Sequence, residues 1–357
     1  MKIDIITIHR LHNFGSVFQA VALYKYVRDL GYDTEVIDYH PKYLENLTWK
    51  NAVAHFLFAK LYNSRKSKFE KFISQNLLLT SKRYSSEREL EKYPPKADVY
   101  LVGGDQLWNP SYPCGNDNAY KFSFSDGIKL SYGTSLGKKN FSPDEINELA
   151  NKIRSFKAVS VRESSSVNIL EKAGIHAEWV VDPVLLQEKE YYENFAKVPN
   201  RKPYAFIYLV SPSNTLDRIV DILKRKYHIE VVLYSGFGKK CDCDYQMYDL
   251  GPDEVLGYIQ GAEYVISASF HATLFSIILK KQFLALLPGE GSNERIEDLL
   301  KWTGLSSRIV TEQSDIEEKF SSSIQYTKDF DSVISERINS SRLYLEKKLE
   351  NLSRDFD

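Results

Sequence analysis

Short apolar runs alternate along the chain with stretches whose apolar residues recur every three or four positions. The junctions are polar or glycine-bearing. This is the pattern of βαβ units, in which buried parallel strands are joined by amphipathic helices. Ile3–Ile8 is the first predicted strand, followed by the loop His9-Arg10-Leu11-His12-Asn13-Phe14-Gly15 and a helix over about Ser16–Leu30 closed by Gly31. A strand follows at Glu35–Tyr39. Residues 42–93 show no strand alternation; two or three helices are expected there, one over Ala52–Tyr62. Strands resume at Asp98–Val102, Lys129–Thr134, Ala158–Val161 and Trp179–Val181, with helices near Pro143–Phe156 and Ser164–Ala173.

A second series begins after the proline-bearing stretch 197–203. Strands are predicted at Tyr204–Val210, Val231–Tyr234, Tyr264–Ser269 and Phe283–Leu287, and helices at Thr215–Tyr227, Asp253–Gly261, Thr273–Lys280 and from about Glu294. The tail repeats Val333, Ile334, Ile338, Leu345, Leu349 and Leu352 at helical spacing, so a long final helix should pack back on the body. The expected fold class is α/β, with two Rossmann-like domains facing across a cleft. Residues 1–195 form the first, with a helical insertion at 42–95; residues 196–330 form the second, and 331–357 the final helix. Ligands of such sheets sit beyond the carboxyl ends of the strands, so the strand-end loops are where chemistry is sought.

Composition narrows the class. The 357 residues carry 47 Lys and Arg against 48 Asp and Glu, a net charge of −1, which gives no basic surface for duplex nucleic acid. Three cysteines (Cys114, Cys241, Cys243) cannot staple a chain of this length and fit a reducing compartment. Asp4 interrupts the apolar run a signal peptide needs, and no run reaches the roughly 18 apolar residues of a membrane span. A cytoplasmic protein is expected. The basic and aromatic segment 55–72 is compatible with peripheral membrane contact, with a solvated helical insertion, or with shaping an acceptor pocket.

The strand-end loops hold a particular set of side chains. Asn13-Phe14-Gly15-Ser16 opens a helix, whose free amides could hold an anion, or it is an ordinary turn with Ser16 as N-cap. Gly103-Gly104-Asp105 places a carboxylate at the sheet edge, followed by Gln106, Trp108 and Asn109, a polar and aromatic set suited to sugars; the plainer alternative is a capping aspartate. Arg162 could grip a carboxylate or phosphate, or pair with Glu163 or another acid. His271, just past a strand, could move a proton near neutrality or be satisfied by a carbonyl. Asp182-Pro183 reads as structural. His9-x-x-His12 lacks a nearby carboxylate partner, so no zinc site is expected there; no metal-binding residue and no cofactor are singled out, and dependence on a metal ion is left open.

The segments Asn13-Phe14-Gly15-Ser16-Val17-Phe18-Gln19-Ala20, Val102-Gly103-Gly104-Asp105-Gln106-Leu107-Trp108-Asn109-Pro110, Ser131-Tyr132-Gly133-Thr134-Ser135, Ser160-Val161-Arg162-Glu163, Val181-Asp182-Pro183, Val265-Ile266-Ser267-Ala268-Ser269-Phe270-His271 and Ser292-Asn293-Glu294-Arg295, in this order, resemble the polysaccharide pyruvyl transferases. The resemblance implies a GT-B-like pair of Rossmann domains, phosphoenolpyruvate as donor, and a sugar or lipid-linked oligosaccharide as acceptor, with a pyruvyl ketal as product. It implies His271 and Asp105 as catalytic residues. Arg162, Asn13, Gly15, Ser16, Ser135, Ser269, Asn293 and Arg295 are then donor-side candidates, and Gln106, Trp108 and Asn109 acceptor-side candidates. Three positions depart from the family pattern: Gly104 stands where serine is usual, a harmless change by expectation; Ala272 stands for glycine; and Ser269 stands for an arginine. The rival readings are a nucleotide-sugar glycosyltransferase, for which Gly236-Phe237-Gly238 and Gly289-Glu290-Gly291 are the candidate loops, and a non-catalytic glycan-binding relative.

Overall fold

A computed structural model describes residues 1–45, 58–210, 213–235, 241–287, 289 and 293–354. The chain divides into two units. One comprises Met1–Thr48, Glu70–Gln187 and Ile334–Asp357; the other comprises Trp49–Phe69 and Glu188–Val333.

The first unit is built on strands β1 (Lys2–Ile6), β2 (Asp33–Tyr39), β3 (Leu79–Tyr84), β4 (Val99–Gly103) and β5 (Ile128–Tyr132), all parallel in the order β3-β2-β1-β4-β5. Bridges from Leu130 to Ala158 and from Thr134 to Val161 extend it toward the pair β6 (Ser160–Val161) and β7 (Glu178–Trp179). Ile5 lies between Val36 and Leu101 in register. Every residue of β4 is buried, which is why it reads as an unbroken apolar run. The helix Phe14–Asp29 is buried on all sides from Phe14 to Tyr24, Val17, Phe18, Val21 and Leu23 included. Across the sheet an aromatic core gathers Tyr39, Tyr100, Trp108, Tyr120 and Phe122.

The second unit repeats the plan. Strands β8 (Tyr204–Leu209), β9 (Glu230–Ser235), β10 (Tyr245–Met247), β11 (Tyr264–Ser267), β12 (Gln282–Leu286) and β13 (Ile309–Val310) are parallel in the order β10-β9-β8-β11-β12-β13. Both sheets therefore reverse direction next to their first strand, between β1 and β4 and between β8 and β11. Those are the switch points where doubly wound sheets present ligands.

The last helix, Lys328–Ser353, buries Leu345 and Leu349 on the first unit, while Val333 is exposed. Arg337 lies 3.3 Å from the Trp179 ring centre, Ser341 accepts the Val181 amide at 3.0 Å, and Glu346 accepts the Tyr26 hydroxyl at 2.6 Å.

The largest departure from the pattern lies in residues 42–93, where no strand is expected. β3 sits there, at the sheet edge. Its sequence Leu-Thr-Ser-Lys-Arg-Tyr is mostly polar because an edge strand needs few buried positions, here Thr80 and Tyr84. The short β10 and β13 are likewise outer strands without a clear apolar run. Most of the helix expected at Ala52–Tyr62 lies outside the described residues; the helix described there is Ala59–Asn76. Its Phe69 and Phe72 are buried, and Phe72 packs edge-on to Phe18 at 5.1 Å, so these aromatics of the 55–72 segment serve packing. No helix among the described residues is long and apolar enough to cross a membrane.

Candidate functional site

In the first unit the strand-end residues form one buried polar network. Asn13, extended at φ −123° and ψ 120°, is the N-cap of the first helix; its side chain accepts from Gly15 N at 3.0 Å and Ser16 N at 3.4 Å. This corrects the assignment of Ser16 as the cap. It also engages the Gly15 and Ser16 amides that were the anion-binding candidates, because an Asn cap satisfies the first-turn donors. Ser16 is thereby left to donate its hydroxyl to Asp105 Oδ2 at 2.7 Å. Asp105 Oδ1 accepts from Gln106 N at 3.0 Å and lies 3.7 Å from Arg162 Nη2.

Arg162 does not offer an open cation. Its side chain is only 1% exposed and is held by three carboxylates: Glu163 at 3.1 Å, Asp182, and Asp105 beyond them. Burial by itself would lower its pKa; Asp182, Glu163 and Asp105 overcome that and hold it above the usual arginine value. The ion-pair alternative weighed from the sequence is thus the one the fold adopts. Ser135 follows the same logic. It is fully buried, donates to Glu163 Oε1 at 2.6 Å, and its amide donates to the Asp105 carbonyl at 3.1 Å. Glu163 in turn accepts from Leu136 N and Ser166 Oγ. Asp182 also caps the turn at Pro183–Leu186 through Val184 N at 2.9 Å.

The acceptor-side expectation needs a larger correction. Trp108 is 1% exposed; it packs edge-on to Phe156 at 6.0 Å and donates Nε1–H to the Tyr120 carbonyl at 3.2 Å. It is a core residue with no face for a sugar. Asn109 is fully buried and donates to Gln106 Oε1 at 2.8 Å. Of the three, Gln106 alone is partly open.

Gly104 also differs from expectation. Its φ is +89°, and a Cβ there would lie 1.6 Å from Gln19 Oε1. Gln19 is fully buried and donates to Thr7 Oγ1 and to the carbonyls of Ile8 and Ser16. Glycine at 104 is matched to this glutamine, so serine is no neutral exchange. Gly104→Ser is expected to lower stability by about 1–3 kcal/mol, the range for strained backbone. The denaturant midpoint checks this; an unchanged midpoint would refute the match.

In the second unit His271 lies in the first turn of the helix Phe270–Ile278, which starts three residues earlier than its pattern predicts. It is 4% exposed, its ring 5.1 Å from that of Phe270 and edge-on to it. Arg295, in the helix Glu294–Trp302, lies 5.9 Å from the other ring of this group, Phe270. Ser269 is the N-cap: its Oγ accepts from Ala272 N at 3.5 Å and its amide is held by Ser267 Oγ at 2.9 Å. Serine is a favoured cap and arginine is not, which gives this position a local structural role. Asn293 accepts the Gly289 amide at 2.9 Å and so ties its own loop. The loop 236–238 and residues 290–292 lie outside the described residues.

One cluster escaped the sequence reading. Asp38, near the carboxyl end of β2, is gripped by Arg10 (2.8 and 2.7 Å) and Arg83 (3.0 Å), with His9 Nε2 at 3.4 Å. Burial would raise its pKa, but hydrogen bonds from His9, Arg10 and Arg83 drive it far below the usual carboxylate range. The signal was a charged residue inside an otherwise buried strand. The other His9 nitrogen faces the Thr7 carbonyl at 3.0 Å. Among the described residues no group of three or more His, Cys, Asp or Glu is placed to hold a metal ion.

Solved structures with this fold include the UDP-GlcNAc 2-epimerase of Neisseria meningitidis bound to UDP-GlcNAc (13% identity, 98% of this chain and 100% of that chain, TM-score 0.52). They also include the UDP-N-acetylglucosamine 2-epimerase of Rickettsia bellii (11% identity, 98% and 97%, TM-score 0.53). At such identity the likeness concerns the fold alone, and it defines the class as GT-B. No curated protein matches the chain. The family is nonetheless plain: the model of the polysaccharide pyruvyl transferases matches residues 13–289, and the chain belongs to that family.

Proposed function

We propose that the protein transfers a pyruvyl group from phosphoenolpyruvate to two hydroxyls of a sugar, releasing phosphate and leaving a cyclic ketal. The family match over residues 13–289, which takes in Asn13, Asp105, Arg162 and His271 and stops short of Arg295, is the observation that carries this reading. In the proposed chemistry an acid protonates the donor's methylene carbon, and the adjacent carbon becomes an oxocarbenium centre. One sugar hydroxyl adds there and gives its proton to a base. The carbon–oxygen bond to phosphate breaks, and the second hydroxyl closes the ring with loss of its proton. Such a reaction asks for cationic recognition of a highly negative donor and for one acid and one base.

His271 is assigned the acid's role. It sits in a helix's first turn, beyond β11 at the second sheet's switch point, where the helix dipole favours negative charge. Arg295, beside Phe270, is the cation proposed to meet the donor, in place of the buried Arg162. Asp105 is assigned the acceptor hydroxyl: it is partly exposed at the first sheet's switch point and oriented by Ser16 and the Gln106 amide. A sugar chain is the proposed acceptor, lipid-linked or free.

The test is incubation of the full chain with phosphoenolpyruvate and candidate glycans, read by mass spectrometry of the glycan and by phosphate release. Ketal-bearing glycan with equimolar phosphate is expected. Sugar transfer from a nucleotide sugar instead would favour a glycosyltransferase, and glycan binding with no phosphate release would favour a non-catalytic relative.

A further inference from the structure

The first unit contains a pocket of about 720 Å³ that none of the candidate site residues lines. That volume lies within the roughly 300–1,000 Å³ of small-ligand sites. Its walls come from the carboxyl ends of β2 (Tyr39, Lys42, Tyr43) and β3 (Glu87), and from the loop after β4 (Asn116, Asp117).

Hydrogen bonds tie the lining residues to one another. Asp117 Oδ2 accepts both the Tyr39 hydroxyl at 2.6 Å and the Tyr43 hydroxyl at 2.5 Å, and its Oδ1 accepts Ala119 N at 3.0 Å. Tyr39 is held edge-on to Tyr120 at 5.6 Å. Tyr43 is half-buried, so a fixed aromatic ring borders the space. Around it stand hydrogen-bonding groups: Glu87 and Glu89, partly open, and Asn116, exposed. Glu87 is steadied by Ser123 Oγ at 2.7 Å, and Asn116 by the Pro110 carbonyl at 2.9 Å.

Charge decides among ligands. The lining holds three carboxylates (Glu87, Glu89, Asp117) and one lysine (Lys42), so 1 − 3 gives a formal −2. A phosphorylated donor or a nucleotide would be repelled. An uncharged polyhydroxylated molecule would not be: its apolar ring faces pack on tyrosine, and its neighbouring hydroxyls donate to carboxylates.

Position gives the pocket a place in the reaction. It lies on the same edge of the same sheet as Asp105, and the segment from Gly104 to Asp117 supplies residues to both. β2 and β3 are two and three strands from β4, about 10–15 Å at 4.8 Å per strand.

We infer that this pocket is a saccharide subsite that holds a neutral part of the acceptor chain at a distance from the sugar that reacts near Asp105. The inference rests on the proposal that the acceptor is a glycan. It makes chain recognition separable from chemistry: the pocket sets which glycan is used, and Asp105 sets what happens to it.

The experiment measures calorimetric binding of defined neutral oligosaccharides of glucose, galactose, mannose and N-acetylglucosamine to the full chain, with uridine diphosphate and phosphoenolpyruvate as anionic comparators. Asn116→Arg, at an exposed position, intrudes on the pocket without disturbing the core, and Glu87→Gln removes one acceptor charge. At least one oligosaccharide should bind without phosphoenolpyruvate, about tenfold more weakly to Asn116→Arg and several-fold more weakly to Glu87→Gln, with unchanged melting temperatures. Binding that neither variant alters, binding of no oligosaccharide, or loss of phosphoenolpyruvate binding in these variants would overturn the inference. Ketal formation is scored separately. A protein that makes the ketal but ignores the pocket variants keeps its proposed reaction and loses this subsite. One that binds glycan through the pocket but never forms ketal does the reverse.

Discussion

Arg162→Met is expected to lower the free energy of unfolding by about 3–5 kcal/mol, the cost of removing one partner from a buried ion pair. The guanidinium is 1% exposed and faces Asp105, Glu163 and Asp182. Methionine fills much of the volume and leaves the buried Glu163 and Asp182 without their counter-charge, with Asp105 at the partly open rim. Arg162→Lys should recover only part of the loss, since an ammonium cannot reproduce the planar fork. Urea midpoints at neutral pH measure both. Should the methionine variant fail to fold, Glu163→Gln gives a milder reading: about 1–3 kcal/mol, because the one remaining oxygen can serve either Ser135 or Leu136 but not both, and the charge opposite Arg162 is gone. The competing view makes Arg162 a donor-binding cation. It requires normal midpoints and weakened phosphoenolpyruvate binding, and that pair of results would sink the network reading.

For His271→Ala the expected result is a fall in phosphate release from phosphoenolpyruvate, with acceptor present, of about 10²–10⁴-fold, the range for losing a general acid. The residue lies beyond β11, in the first turn of its helix and beside Phe270. The melting temperature must be followed alongside, because a side chain 4% exposed also contributes packing. His271→Gln separates the two effects: it keeps hydrogen-bonding capacity and bulk but cannot donate a proton as an acid, so it should melt normally and remain inactive. Near-normal turnover in either variant would remove His271 from the mechanism.

The amino-acid pattern was strongest where structure is local. Unbroken short apolar runs against a period near four placed most of the inner strands and the helices between them. A strand buried on both faces, such as Val99–Gly103, must be apolar throughout, and a helix with one face on the sheet, such as Leu216–Arg225, carries an apolar stripe. The same locality put Asn13, Asp105 and His271 at strand ends, since a short polar interruption after an apolar run is visible in one dimension. Edge strands escaped it. β3 buries Thr80 and Tyr84 while Ser81 and Arg83 face outward, and so few buried positions leave no signature.

What the sequence by itself determined is the alternation of strand and helix, the two-sheet α/β class, and the family, because each is carried by residue order. What only the tertiary structure decided is where the charges and rings go. Trp108 reads as a sugar platform until Phe156 and the Tyr120 carbonyl enclose it. Arg162 reads as an anion receptor until Asp182, twenty residues on, closes upon it. The pocket bordered by Tyr43 takes shape where Asp117, 74 residues away, accepts its hydroxyl. Such contacts join positions with no fixed spacing, and their energies depend on burial, which residue order does not encode directly.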